Sequence, residues 1–573
     1  VFRTLTQSTT IRRIARKRFG WTKLHPGQLK AVQALLKGKD VLVVMPTGAG
    51  KSAVYQLAGL MIDGPTVVVS PLIALQRDQL AGLAARGDST GLEAVAVNSA
   101  QGAAETNAAW ESLRTGDAEF VFLAPEQLAN EAVVARLAEA GVSLLVVDEA
   151  HCVSAWGHDF RPDYLRIGDV VERLGNPTIV ALTATAAPPV RAEIMEKLHM
   201  RTPTQIIQGF DRPNLRLEVQ RYTDARRKQL AVIDAVMAQP GHGLVYSATR
   251  KETERYAGEL VAKGRAASAY HAGMKAADRE RVHEAFLSGE VEVVVATSAF
   301  GMGIDKPDVR FVIHAEVSES IDSYYQEIGR AGRDGDPALA LLLYRSEDLG
   351  LRNFFASGGA DPDVLTSVAG AVRKHTSEDG SAEPSELKEE LELSHTRLTN
   401  AVNLLEQAGA INVDGLGRLH YTDPGLKVDR AVSGASAVAE AHTRVDRSRV
   451  EMMRGYAETP GCRRQFLLGY FGEELPEPCG NCDTCTARIA AEAEAEAAGV
   501  PVIAQGSETG VDPAAEAAYP LNAPVAHREW GPGVVMRHEP DRITVLFEQV
   551  GYRTLALKAV QGDDGLLVVQ PVH

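Results

Sequence analysis

Apolar and polar positions follow one pattern over the first two thirds of the chain and several others after it. From residue 30 to residue 345, short apolar runs are separated by longer amphipathic stretches. The runs are VLVVM (41–45), TVVVS (66–70), FVFLA (120–124), SLLVVD (143–148) and TIVALT (178–183), then GLVYS (243–247), VVVATS (293–298), RFVIH (310–314) and ALLLY (340–344). Valine-rich runs of this length predict buried parallel strands joined by crossover helices. GFDRPNLR (209–216) has a proline and no periodicity, and reads as a hinge. The expected fold is multidomain α/β, with parallel-sheet lobes over 1–208 and 209–350 and functional loops at the carboxyl ends of the strands.

Beyond residue 360 the patterns change. SELKEELEL, HTRLTNAVNLLEQAGA and INVDGLGRLHYT predict two helices and a hairpin within 360–425, with Leu398, Val402, Leu405 and Ala408 on one helix face. Residues 426–486 read as a helical module containing a cysteine cluster, and 487–518 as an Ala/Glu-rich linker that could begin as a short helix. Alternating apolar and polar residues over 523–560, with turns at Gly531-Pro532-Gly533 and Glu539-Pro540-Asp541, predict a small β-barrel within 519–573.

Composition narrows the partners. A chain of 573 residues with 45% apolar positions holds several ordinary cores. No run approaches the ~18 apolar residues of a membrane helix. The basic N-terminus, VFRTLTQSTTIRRIARKRFGW, lacks the apolar core of a secretory signal, so a cytoplasmic protein with no membrane partner is expected. The net charge of −15 by itself argues against nucleic acid. That charge is uneven, however: residues 487–518 set Arg488 against Glu492, Glu494, Glu496, Glu508, Asp512 and Glu516, which leaves room for basic surfaces elsewhere.

Three segments carry nucleotide chemistry. In MPTGAGKS, Gly48 and Gly50 let the backbone N–H groups after Thr47 face phosphate oxygens, and the following helix adds its positive end. Lys51 can neutralise β/γ-phosphates and Ser52 can ligate Mg²⁺; the rival reading is a chance Gly-Lys-Ser in a turn. Asp148 and Glu149 close the run SLLVVD, where the first can hold Mg²⁺ and the second can deprotonate an attacking water, unless the pair only solvates a strand end. In QEIGRAGRDG (326–335), Arg330 and Arg333 are three apart, so a helix would put both on one face, to stabilise a transferring phosphoryl group or merely to form surface ion pairs. Cys462, Cys479, Cys482 and Cys485, spaced C-x16-C-x2-C-x2-C, suit tetrahedral, structural Zn²⁺ better than a redox pair, while Cys152 reads as a loop residue. Trp156 and Phe160 in HCVSAWGHDFRPDY (151–164) can stack on unpaired bases and Arg161 can meet phosphate, the alternative being core aromatics.

Together these residues resemble a superfamily 2 helicase, and more narrowly the RecQ family, over roughly residues 19–345. FGW…LHPGQ resembles the adenine-reading motif, SPLIALQRDQ, LAPEQL and ALTATA the motifs Ia, Ib and III, and YHAGM with ATSAFGMGIDKPDVRFVIH the segments through motif V. His151 to Tyr164 resembles the family's aromatic-rich loop, and CRRQFLLGYFGEELPEPCGNCDTC its zinc module. The resemblance implies ATP bound by Gln28, Thr47, Gly48, Gly50, Lys51 and Ser52. It implies coupling through His151, Thr183, Thr185 and Gln326, and DNA contacts from Trp156, His158, Phe160, Arg161 and Thr297. It also implies 3′→5′ travel on single-stranded DNA and unwinding of duplex DNA in repair or recombination; an RNA helicase and an ATP-switched scaffold are the alternatives.

This chain departs from the family's pattern in four places. His25 stands where an arginine is usual, Met45 replaces the first glycine of the phosphate loop, a winged-helix-like unit precedes the zinc module, and no helicase-and-RNase-D C-terminal segment is found. That winged-helix-like unit would offer His395, Arg397 and Asn400 to duplex DNA, or act as a spacer. The terminal segment resembles the Tudor-like end of UvrD-type helicases, which implies a docking module for RNA polymerase or a repair factor; a nucleic-acid-binding barrel is its rival.

Overall fold

The computed structural model describes residues 2–71, 76–77, 79–83, 93–97, 101–154, 161–300, 306–350, 352, 360–414, 417–497, 517–539, 541–547, 550–561 and 566–570. Trp156, His158 and Phe160, part of motifs Ia and V, and most of the expected linker lie outside them.

Helices α1 (Phe2–Phe19) and α2 (Pro26–Leu35) lead into a seven-stranded sheet. Its strands are β1 (Val41–Val44), β2 (Thr66–Val69), β3 (Glu93–Val97), β4 (Ala118–Leu123), β5 (Leu144–Val147), β6 (Thr178–Thr183) and β7 (Thr204–Ile207). All pair in parallel, in the order β3-β4-β2-β5-β6-β1-β7. Helix α3 (Ser52–Gly59) follows β1. The second parallel sheet has the order β10-β11-β9-β12-β13-β8. It is built from β8 (Leu215–Arg221), β9 (His242–Tyr246), β10 (Ala267–Tyr270), β11 (Val293–Ala296), β12 (Val309–His314) and β13 (Ala338–Tyr344), with helix α4 (Ile321–Ile328) between the last two. Each central strand is buried on both faces, as βαβ crossovers demand.

Helices α5 (Pro362–Asp379), α6 (Pro384–Glu390) and α7 (His395–Gln407) with the hairpin β14 (Ile411–Val413)–β15 (Leu419–Tyr421) enclose a separate core around Leu365, Leu387, Leu398 and Leu405. Arg397 is paired with Asp361 at 2.6 Å, so its charge is answered locally. Helix α8 (Val428–Glu458) then runs 31 residues, about 46 Å. Its Ala431 and Ala435 join that core, and its Met453 and Tyr456 join the core of the lobes. Helices α9 (Arg463–Tyr470) and α10 (Asp483–Ala497) complete the cysteine module, and α10 continues past residue 486 into the segment read as linker.

The terminal segment forms an antiparallel sheet in the order β19-β18-β17-β16-β20 around Val525, Val535, Val545 and Phe547. Its strands are β16 (Pro524–His527), β17 (Gly531–Glu539), β18 (Arg542–Phe547), β19 (Gly551–Ala556) and β20 (Leu567–Val569). This sheet is seated on the rest of the chain. Tyr552 lies 5.5 Å from Tyr470, Arg537 sits 3.9 Å over the Phe466 ring, and a Cβ on Gly551 would fall 2.2 Å from Ser448 Oγ. Only glycine permits that approach, and its φ of +72° suits glycine as well.

Candidate active site at the lobe interface

The phosphate loop turns through Gly48 (φ +82°) and Gly50 (φ +73°), both in the left-handed region. Gln28, buried on α2, donates Nε2 to the carbonyls of Ala49 (3.0 Å) and Gly50 (2.9 Å), while its Oε1 accepts from His25 N at 2.8 Å. The expected adenine reader is thus also fastened to the loop. Thr47 lies half-buried in the same turn, and Ser52 begins α3. Lys51 donates Nζ to Met45 O at 3.3 Å. Burial lowers its pKa, while Glu149 and Asp148 act in the other direction.

Asp148 directly follows β5, with Oδ1 accepting from Glu149 N at 3.0 Å. Burial, reinforced by the Glu149 charge, pushes its carboxyl up to about 7, against the pull of Lys51. Glu149 is held at φ +47°, a left-handed strain of about 1–2 kcal/mol for a side-chain-bearing residue. His151 Nδ1 lies 3.0 Å from Thr183 Oγ1 and 3.3 Å from Glu149 Oε2. Thr183 spends its one hydroxyl hydrogen on Thr185 O at 2.9 Å, so His151 Nδ1 must be the donor toward Thr183. That leaves Glu149 Oε2 buried without a hydrogen-bond partner. Across the cleft, Gln326 Nε2 on α4 donates to Thr185 Oγ1 at 3.2 Å. His151, Thr183, Thr185 and Gln326 therefore form one hydrogen-bonded line from the first lobe to the second, with Glu149 against its His151 end at 3.3 Å.

Arg330 and Arg333 do not share a helix face, contrary to the expectation from their spacing. Helix α4 stops at Ile328, and Gly332 (φ +58°) and Gly335 (φ +91°) turn the chain. The two side chains diverge in consequence. Arg333 packs on the phosphate loop, its Cδ 3.2 Å from where a Cβ on Gly48 would stand, and its charge is felt by Lys51. Arg330 is buried inside the second lobe beside Tyr246, whose phenol burial pushes up to about 12 while Arg330 opposes, and its Nε has no hydrogen-bond partner.

The sequence pattern did not reveal what holds this turn. Arg212 in the hinge donates Nη2 to the carbonyls of Ala331 and Gly332 (both 2.9 Å) and Nη1 to Gly329 O (3.3 Å). Asn214 Nδ2 adds bonds to Gly332 O (2.8 Å) and Asp336 O (2.9 Å). Donors aimed at main-chain carbonyls leave no spacing signal; only the adjacent proline marked this stretch.

Of the expected DNA contacts, Arg161 donates Nη1 to Pro71 O at 3.1 Å, and Tyr164 nearby donates to Asp148 O at 3.0 Å. The end of the aromatic loop is thereby tied to the acid pair. Thr297 stands apart from the nucleotide residues, at the end of β11 in a small polar cleft with Tyr246, His314 and Glu327.

Both metals fit their residues. The buried Asp148, with its raised pKa, and the undonated Glu149 oxygen are what a divalent cation and its water shell would relieve. The sulfurs of Cys462, Cys479, Cys482 and Cys485 all lie within 4.8 Å of one another, and Cys482 Sγ is 4.0 Å from Cys462 Sγ. Zn–S bonds of about 2.3 Å in a tetrahedron require sulfur separations of about 3.8 Å. Around the cluster, Arg464 donates to Leu215 O at 2.6 Å and pairs with Asp211 at 3.3 Å, and Glu473 accepts from Phe210 N. Asp483 accepts from Val219 N at 3.0 Å, and Arg191 of the first lobe donates to Phe471 O at 2.7 Å. The cysteine module thus bonds to the hinge and to both lobes.

Two sheets facing one nucleotide site define a two-lobed helicase motor, and family models agree. Residues 25–193 match the DEAD/DEAH box helicase, 227–335 the helicase conserved C-terminal domain, and 427–486 the RecQ zinc-binding domain. The chain is 34% identical over 82% of its length to a probable ATP-dependent DNA helicase RecS of Bacillus subtilis, spanning 90% of that protein. Against the ATP-dependent DNA helicase RecQ of Pasteurella multocida it is 34% identical over 82% of this chain but only 61% of the relative. The chain belongs to the RecQ family of ATP-dependent DNA helicases. A DUF1998 helicase, MrfA, solved with DNA, shares the fold at a TM-score of 0.51 with 18% identity, over 74% of this chain and 63% of that one. Among the described residues no helix is long and apolar enough to cross a membrane.

Proposed function

We propose that this chain moves 3′→5′ along single-stranded DNA, separating duplex ahead of it in repair or recombination, and that ATP clamped between the lobes drives the motion. The carrying observation is the hydrogen-bonded line from His151 through Thr183 and Thr185 to Gln326, with Glu149 against its His151 end. It joins the residue suited to activating water with the lobe that must move. In this reading Gln28 reads adenine, and Thr47, Gly48, Gly50 and Lys51 hold the phosphates. Ser52 and Asp148 would hold Mg²⁺, which would supply positive charge against the phosphates. Glu149 takes the proton of the attacking water, and Arg333, then Arg330 on closure, meets the charge of the transferring group. Trp156, His158, Phe160 and Arg161 form the DNA-reporting loop, and Thr297 supports the strand on the second lobe.

Domain limits at 208, 350, 425, 486 and 518 are part of the same proposal. The exposed Val568 and Val569 on β20 leave an edge for a protein partner such as RNA polymerase or a repair factor.

Glu149→Gln should retain nucleotide binding, lose hydrolysis by about 10²-fold or more, and fail to displace a strand. The parent should open 3′-tailed duplexes and not 5′-tailed ones, and its ATPase should respond to single-stranded DNA more than to RNA of the same sequence. Equal opening of both tails would refute the direction, and a preference for RNA the substrate.

A further inference from the structure

The first 39 residues contain no Asp or Glu, although the chain as a whole carries −15. This segment folds as α1 and α2, side by side: Gln33 Nε2 of α2 donates to Ser8 Oγ of α1 at 2.7 Å. Ile11, Ala15 and Phe19 bury one face of α1 against Ala31, Val32 and Leu35 of α2 and Tyr55 of α3. The outer faces are left to water. Arg12, Arg13, Arg16 and Lys17 are all exposed on α1, and Lys23 and Lys30 beyond them are exposed too. None of these six makes an ion pair among the described residues. Arg18 differs from them, because Glu119 answers its charge.

The cations of the patch are all exposed, whereas α2 meets the phosphate loop through the buried Gln28. Helices α1 and α2 rest on the apolar layer containing Phe120, Phe122, Leu144 and Val146. Tyr164, the helices 131–140 and 166–173, and the second lobe belong to the layer on the opposite face of that sheet. Unpaired arginines packed this closely repel one another, and a polyanion is what relieves them.

The exposed side chains of the patch are cations rather than aromatics: Phe19 is buried, and the half-buried Trp21 is stacked on it, ring centroids 4.3 Å apart and 10° from parallel. What remains is backbone chemistry, and a duplex presents one phosphate charge per about 1.7 Å of axis. From these observations we infer that the outer face of α1 and α2 is a second DNA-binding surface, one that holds the phosphates of double-stranded DNA without reading its sequence. Arg12, Arg13, Arg16 and Lys17 are its centre. The inference rests on the DNA-motor reading above, and the test separates the two.

The test uses the full zinc-loaded chain with R12Q, R13Q, R16Q and K17Q combined, and a milder R12Q/R16Q variant. Binding of a blunt duplex is followed by fluorescence anisotropy from low to moderate salt. Each lost phosphate contact should reduce the slope of log K against log salt by about 0.9, so about 3.6 for the combined variant and about 1.8 for the milder one. ATP hydrolysis at saturating short single-stranded DNA should stay within about twofold of the parent, since none of the four substituted side chains belongs to the nucleotide site. An unchanged slope in a variant of parental melting temperature and zinc content overturns the inference. So does lost binding to anionic vesicles or duplex RNA with duplex DNA binding intact. Absence of DNA-stimulated hydrolysis in the parent itself would instead count against the motor reading.

Discussion

Arg212 touches no nucleotide residue directly, yet its guanidinium gathers the carbonyls of Gly329, Ala331 and Gly332 and so sets where Arg333 arrives. Arg212→Ala should lower kcat for ATP by about 10²-fold, the scale of losing one aligned charge stabiliser, and leave KM nearly unchanged. Arg333→Ala should do the same, and the double variant should cost little more, because both act through one side chain. Additive losses, measured by steady-state ATPase, would show that Arg212 acts elsewhere. Asp148 gives a second prediction. Its folded-state pKa is raised to about 7, so the metal-free folded chain binds a proton there that the unfolded chain releases near pH 4. That stability is complete below about pH 4 and is lost as pH rises through about 7. Melting of the metal-free protein should therefore fall from pH 6 to pH 8 by more than in Asp148→Asn. Affinity for Mg·ATP should move the opposite way, weakening as acid competes for the carboxylate.

At the level of elements, the nine apolar runs seen in the sequence became nine strands. The four strands that no run announced are β3, β7, β8 and β10, and these are the outer strands of the two sheets. An edge strand has one side without a partner and needs no continuous apolar face: β7 alternates half-buried and exposed positions, β8 alternates buried positions with exposed or half-buried ones over its first six residues, and β10 is half-buried throughout. The same logic explains the site. Lys51, Asp148, Glu149 and the four cysteines were legible because phosphate and metal chemistry demand fixed residue types at fixed spacings. Arg212, Asn214, Arg191 and Tyr164 were not, because they bond to main-chain carbonyls that any residue supplies. The terminal sheet was legible as strands but not as a neighbour, since Tyr470 and Tyr552 are 82 positions apart in the chain. Tyr552→Ala should cost roughly 3 kcal/mol by leaving a hole between α9 and β19. Calorimetry should show the terminal sheet and the cysteine module losing stability together; an unaltered module transition would mean the sheet is only tethered.

For the whole molecule, the cysteine module is bonded to the hinge and to both lobes. Phe471 stacks on Phe210 of the hinge at 4.4 Å and takes a hydrogen bond from Arg191 of the first lobe, while Asp483 and Tyr470 reach Val219 and Asp322 of the second. Structural zinc contributes on the order of 10 kcal/mol to holding such a module together. Cys482→Ser, or chelation, should therefore broaden the distribution of distances between fluorophores carried at positions 197 and 263, one on each lobe. A distribution as narrow as the parent's would separate zinc from lobe geometry. With the metal in place, the lobes meet like a door and its frame. On the proposed cycle, departure of a γ-phosphate should then change an angle rather than a gap, and the travel of the DNA-holding surface should scale with its distance from Phe471 rather than with the width of the group that left.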